Sequence, residues 1–328
     1  MMTRRENLLA CIRGEGPDRF VNQFEALELV RGNPMSASYL KDFAKTREGV
    51  NGWGVTIRWK EGVVAPFPVH DEEHKVIKDI FRWRESVKSP SLDFTEDDWA
   101  PYAEAASRID RTERFVAVTV SPGIFEQMHY LMSIDDALIN FYLAPEEMHD
   151  LVKYITDWEL RFAEQLCRYV KPEVIMHHDD FGSQRSTFMS PDMTAEYFLD
   201  AYKQVYGYYK SHGVQLVIHH SDSYAATLVP MMIEMGVDIW QGCLTTNDLP
   251  ELIRKYGGKM SFMGGINNGV VDVENWSREQ IRAEVEKICA ACGKNYFIPC
   301  MTGGGPGSTY PGVYQTVTEE IDRLNGLG

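Results

Sequence analysis

The sequence predicts an α/β chain folded as a (β/α)8 TIM barrel. One domain spans residues 1–328, with an N-terminal helix and extended segments added to the barrel. Three observations carry that expectation. Short apolar runs alternate with helical patterns along most of the chain. Each run is nearly continuous in apolar residues, as a parallel strand buried on both faces requires. Polar residues then collect directly after the runs, at the strand ends where barrels of this kind keep their active sites. No G-x-G-x-x-G opens a helix after a strand, which argues against a dinucleotide-binding sheet.

The elements follow in order. The opening "MMTRRENLLACIRGEG" is charged and amphipathic; it lacks a continuous apolar core and reads as a helix, not a signal peptide. "DRFVNQFE" (18–25) reads as the first strand, and "GWGVTIRW" (52–59) and "GVVAPFPV" (62–69) as extended or hairpin segments. Further strands are expected at 113–120, 173–178, 214–220, 237–240, 259–265 and 295–300. Counting 18–25 and 52–59 makes eight, the number a closed barrel needs. Helices are expected at 133–143, 145–170, 190–213, 223–235, 247–256, 277–292 and 310–325. Pro145 suits the first helical turn, and Ser190 with Pro191 makes a capped start that Gly213 ends.

Composition excludes several classes. The net charge is -15, so the surface does not suit a phosphate backbone or an anionic membrane. No window holds the run of apolar residues a membrane span needs. Six cysteines at 11, 167, 243, 289, 292 and 300 form no secreted disulfide framework. A cytoplasmic protein is the expectation. Cys289 and Cys292 form a C-A-A-C inside a helical pattern and read as helix packing.

The strand ends carry the chemistry. Glu25 follows the first run; His177, His178, Asp179 and Asp180 follow "VIM"; His219, His220, Ser221 and Asp222 follow "QLVI"; Gln241 and Cys243 follow "VDIW"; Cys300 and the loop "TGGGPGS" follow "YFIP". Alternate residues of a strand share a face. His220 and Asp222 therefore point one way, into the barrel mouth, and His219 points to the helix layer. His220, Asp222 and Cys300 are the candidate metal ligands, since imidazole nitrogen, carboxylate and thiolate are zinc donors. Asp180, His220 and Glu25 are the candidate catalytic residues, and the adjacent carboxylates of "DDFG" suit acid–base work. Bland readings stand beside these: a hydrogen-bonded strand-end histidine, an inert buried cysteine, and an Asp180 that caps a turn. Trp53, Trp59, Tyr130, Phe181 and Trp240 are candidates to line an apolar substrate pocket or to pack the core. The glycine-rich loop reads as a turn or as a phosphate cradle.

Several segments resemble the uroporphyrinogen decarboxylase superfamily. They are "MTRRENLLACIRGEGPDRF", "DDFGSQRSTFMSPDM", "HSDSYAATLVPMMIEMGVDIWQ" and "FMGGIN". The resemblance runs nearly end to end and implies a (β/α)8 barrel. True uroporphyrinogen decarboxylases have an arginine-bearing segment that grips propionates after the first strand. Here that stretch is "RFVNQFEALELVRG", with Glu25 and Glu28. The second branch, zinc methyltransferases of corrinoid systems, has H-x-C and a later cysteine. His220 falls on the histidine, Asp222 where the first cysteine stands, and Cys300 near the second. This branch implies a zinc-dependent methyl transfer between a small molecule and cobalamin carried on a partner corrinoid protein. A metal-free decarboxylase relying on Asp180 and a non-catalytic binding barrel are the alternatives.

Overall fold

Seven short strands lie side by side in parallel order. They are β1 (Leu27–Leu29), β5 (Phe115–Val120), β6 (Val174–His178), β7 (Leu216–His220), β8 (Ile239–Cys243), β9 (Ser261–Ile266) and β10 (Phe297–Met301), paired in that sequence. The other three strands, β2 (Glu48–Val50), β3 (Thr56–Arg58) and β4 (Phe67–Pro68), form a small antiparallel sheet. The computed structural model describes residues 1–37, 46–61 and 66–327.

Strand parity sorts the core into two layers. Phe115, Ala117, Val174, Met176, Leu216, Ile218, Ile239, Met263, Ile298 and Cys300 fill the barrel interior. Their neighbours Val116, Val118, Ile175, Val217, Trp240, Phe262 and Phe297 pack outward against the helices. Both faces of each strand are therefore buried, which is why the strand sequences are apolar without alternation. Arg4–Arg13 forms the opening helix, held by a capping box between Thr3 and Glu6, and Leu8 and Cys11 from it join the interior layer.

Two expectations about the strands need correction. Residues 18–25 are not the first barrel strand: the chain turns at Gln23, with φ of 51°, and pairs with β5 only from Leu27. Gln23 instead bridges the seam between β1 and β10. Its N–H donates to the Pro299 carbonyl (3.2 Å), and its Oε1 accepts from the Met301 N–H (3.3 Å). Residues 52–59 do not supply a barrel strand either; 56–58 are β3, paired antiparallel with β2 and β4. Tertiary pairing overrode the apolar run there, because "GWG" starts a turn and not a ladder. Residues 62–65 of the expected 62–69 segment lie outside the described residues.

The helices fall close to their expected spans: Ile134–Leu143, Pro145–Tyr169, Leu249–Tyr256, Arg278–Cys292 and Val313–Leu324. The expected helix at 190–213 runs from Pro191 to Ser211, with a wider π-helical turn over Ala195–Leu199. The helix Ile124–Met132, with seven of its nine residues buried, was not expected from the sequence. No described helix is long and apolar enough to cross a membrane.

Candidate active site

The C-terminal ends of the strands open into a cleft of about 1300 Å³. β6 and β7 pair in register, so His178 sits opposite His220 and His177 opposite His219. Parity then divides the four. His177 and His219 face the helix layer and are fully buried. His177 Nε2 meets Glu159 Oε2 at 3.2 Å, and His219 Nδ1 meets the Tyr206 hydroxyl at 2.8 Å. His178 and His220 face the mouth, with ring centroids 4.2 Å apart.

Both mouth histidines are held by their Nδ1 atoms. His178 Nδ1 meets Glu126 Oε2 at 2.8 Å, and Glu126 comes from the helix Ile124–Met132. His220 Nδ1 donates to Gln241 Oε1. The amide of Gln241 is oriented by its other end, where Nε2 donates to the carbonyls of Gly303 (3.0 Å) and Met301 (3.4 Å). Gln241 reaches this position at a bulge in β8, where Gly242 takes a φ of 94° that a side chain rarely adopts. With both Nδ1 atoms engaged in hydrogen bonds, the Nε2 atoms are the ones left to meet a ligand. The Nε2 atoms face the loop at Gly304, where an added Cβ would lie 3.3 Å from His178 Nε2 and 3.4 Å from His220 Nε2. A side chain at 304 would press on both imidazoles, which would have to shift by a few tenths of an ångström.

Asp180 completes the group. Its Oδ1 lies 3.9 Å from His220 Nε2 and accepts the Asp222 N–H at 2.9 Å. Among the described residues, His178, Asp180 and His220 are the one set of three His, Cys, Asp or Glu side chains whose ligand atoms lie within 4.8 Å of one another. The neighbouring Asp179 does the capping. It is fully buried and accepts from the N–H groups of Phe125 (2.9 Å) and Glu126 (2.8 Å) and from the Tyr202 hydroxyl. The helix start that presents Glu126 is thereby fixed, and Asp180 stays at the cleft.

Electrostatics fit a cation. Burial and then repulsion from His178 lower the His220 pKa, which favours the neutral imidazole. Burial and then the Asp180 charge hold Glu126 well above the usual carboxylate range. Partial burial and then Asp180 push Asp222 up to about 6. A site with two imidazoles anchored through Nδ1 and a crowd of carboxyl groups has the donor chemistry of a zinc-type ion. The Nδ1 partners are the supporting bonds that such ligands ordinarily carry.

The expected residues divide by place. His220 and Asp222 line the cleft. Cys300 points into the barrel interior and is fully buried, and the structure does not bring it into the His178–Asp180–His220 group. Burial raises its thiol pKa strongly, which disfavours a thiolate. Glu25 precedes β1 and lies in a separate groove of about 720 Å³, 3.5 Å from Arg4 Nε and 3.9 Å from Arg19 Nη2. Arg31, just beyond the end of β1, lines both that groove and the cleft. Trp53 and Tyr130 line the cleft. Phe181 and Trp240 are fully buried and do not; Phe181 stacks on His219, and the Trp240 indole donates to the Ser221 carbonyl. Trp59 is exposed beside the small sheet. His178, Glu126 and Gln241 were missed as site residues. The parity that selects His220 over His219 selects His178 over His177 equally, whereas nothing in sequence spacing places Glu126 beside a histidine 52 residues on.

A parallel α/β barrel with paired histidines and an aspartate at its mouth defines the class. The chain belongs to the uroporphyrinogen decarboxylase (URO-D) family, whose model matches residues 51–323. Among solved structures it is similar to a methyltransferase from Methanosarcina mazei. The identity is 14%, 98% of this chain and 99% of that chain are covered, and the TM-score is 0.66. It also matches a B12-independent methionine synthase from Shewanella at 12% identity, over 80% of this chain and 70% of that one, with a TM-score of 0.49. The first likeness supports the barrel fold. No curated protein sequence matches the chain.

Proposed function

We propose that this family member is a methyltransferase that moves a methyl group between a small molecule and the corrinoid of a partner protein. One observation carries the reading. Two histidines with committed Nδ1 atoms direct their Nε2 atoms into the same space as Asp180, at the mouth of a wide cleft. His178, Asp180 and His220 would hold a zinc-type ion, with Asp222 beside them. Bound there, the ion supplies Lewis acidity toward the oxygen, sulfur or nitrogen that carries or receives the methyl group. The protein's own groups do the rest. Glu126 and Gln241 fix the imidazoles, and Asp222 accepts the proton that a thiol or hydroxyl gives up. Trp53 and Tyr130 cover the apolar part of a substrate. Cobalamin would be carried by a separate corrinoid protein at the open face, since the chain has no D-x-H-x-x-G motif. The Methanosarcina likeness, covering both chains almost fully, supports methyl transfer over decarboxylation. So does the cleft lining, which among the described residues holds Glu126, Glu159, Asp180, Asp222 and Asp272 against Arg31 as the one Lys or Arg, a poor match for a polycarboxylate substrate. Six free cysteines suit a reducing, cytoplasmic setting.

The test is elemental analysis combined with a cob(I)alamin methylation assay. About one zinc per chain is expected. His178→Ala and His220→Ala should each lose it, while Cys300→Ala should keep it. Metal-free protein with full activity, or activity that survives chelation, would instead favour a decarboxylase acting through Asp180.

A further inference from the structure

We infer that Gln127 is a specificity-determining residue, and that it selects an uncharged substrate carrying a hydroxyl or carboxamide group. The inference rests on the methyl-transfer reading of the cleft and names the substrate class for it. Gln127 lines the cleft yet is only 2% exposed. Neither its Oε1 nor its Nε2 has a partner among the described residues. Buried side-chain amides are almost always paired, so an unpaired one at a cleft wall points to something that enters the cleft. The residue is also rigidly placed. It follows Glu126, whose carboxylate holds His178 and whose N–H is bound by Asp179.

The neighbours narrow the ligand. Trp53, Tyr130 and Trp158 line the same cleft. Trp53 and Trp158 meet edge to face at 5.1 Å, and the Trp158 indole N–H is already spent on the Pro90 carbonyl at 3.0 Å. Trp158 also stacks on Phe162 at 5.4 Å, so these rings form a packed apolar wall beside the amide. The amide itself presents an acceptor and a donor side by side. An un-ionised hydroxyl or a carboxamide satisfies both. A carboxylate satisfies the donor alone and would face the cleft's own carboxylates.

Binding measured on the full zinc-loaded protein, by tryptophan fluorescence or calorimetry, tests this with three probes: 2-methoxyphenol, methoxybenzene and 2-methoxybenzoate. The phenol should bind at least about tenfold more tightly than either of the others, because methoxybenzene leaves the amide unpaired. Gln127→Leu should remove the preference over methoxybenzene with zinc content and melting temperature unchanged. Gln127→Glu, which keeps the size but offers a different pairing, serves as the second variant and should weaken the phenol without changing the zinc. Equal binding of the phenol and methoxybenzene by the unmodified protein overturns the inference. So does a preference that persists in both variants, or no binding of any probe. Failure of the methyl-transfer reading looks different: the phenol preference would stand while no methyl group reached cob(I)alamin.

Discussion

At the scale of single residues, the site is set by what holds each histidine from behind. His178 and His220 differ from His177 and His219 only in strand parity, yet one pair meets the cleft and the other lies in an aromatic layer. Gln241 is the most exacting of the supporting groups, since its amide bonds His220 at one end and the glycine-loop carbonyls at the other. Gln241→Leu keeps the volume and removes both. It should lower zinc affinity about 10- to 100-fold, read by competition with a chelating dye, and an unchanged affinity would remove Gln241 from the site. The sequence made His220 legible because alternation is a property of any strand. Asp222, chosen by strand alternation, lines the cleft, whereas Cys300, chosen as the end of the last strand, sits in the interior layer, and Asp180 is the carboxylate nearer the His220 ring nitrogen.

At the scale of elements, fixed junctions hold the mouth in shape. Asp179 ties the start of the helix Ile124–Met132 to the end of β6. On the far side, Glu320 ties the last helix to Arg278–Cys292. It is 1% exposed and accepts from Arg278 Nη1 (2.9 Å), Arg282 Nε (2.9 Å) and Arg323 Nε (2.7 Å). Its hydrogen bonds, that from Arg282 foremost, lower its pKa from 4.5 to about 2. A carboxyl group lowered on folding stabilises the fold above its unfolded pKa, and that contribution is lost as pH falls through the folded value. Glu320→Gln should therefore cost about 1–2 kcal/mol at pH 7, the three arginines being partly exposed to solvent. The gap between variant and unmodified protein should close as pH falls from 4.5 toward 2. Urea midpoints across that range check it, and a pH-independent gap would refute the ionic account. The helices were legible because each has an amphipathic period and a stop signal. Strand 18–25 was misplaced because an apolar run does not reveal where pairing begins.

At the scale of the whole molecule, the acidic balance and the cation site belong together. A chain with net charge -15 whose cleft gathers five carboxyl groups among the described residues would be relieved by a bound divalent ion. Zinc at a hundredfold excess over its dissociation constant should stabilise the fold by about 2.7 kcal/mol. Calorimetric melting with and without chelator should show a rise of a few degrees. The rise should vanish in His220→Ala, and a chelator-insensitive melting temperature would speak against a resident ion.

The sequence by itself determined the barrel class, the order of its strands from β5 to β10, the URO-D resemblance and the inward direction of His220. These follow from periodicity and local stereochemistry, which the chain carries at short range. Only the tertiary structure decided which side chains meet. It seated His178 opposite His220, brought Glu126 and Gln241 behind them, left Cys300 a layer below, and moved Glu25 out of the mouth. Those outcomes depend on strand register and helix docking, which are set by contacts between residues far apart in the chain.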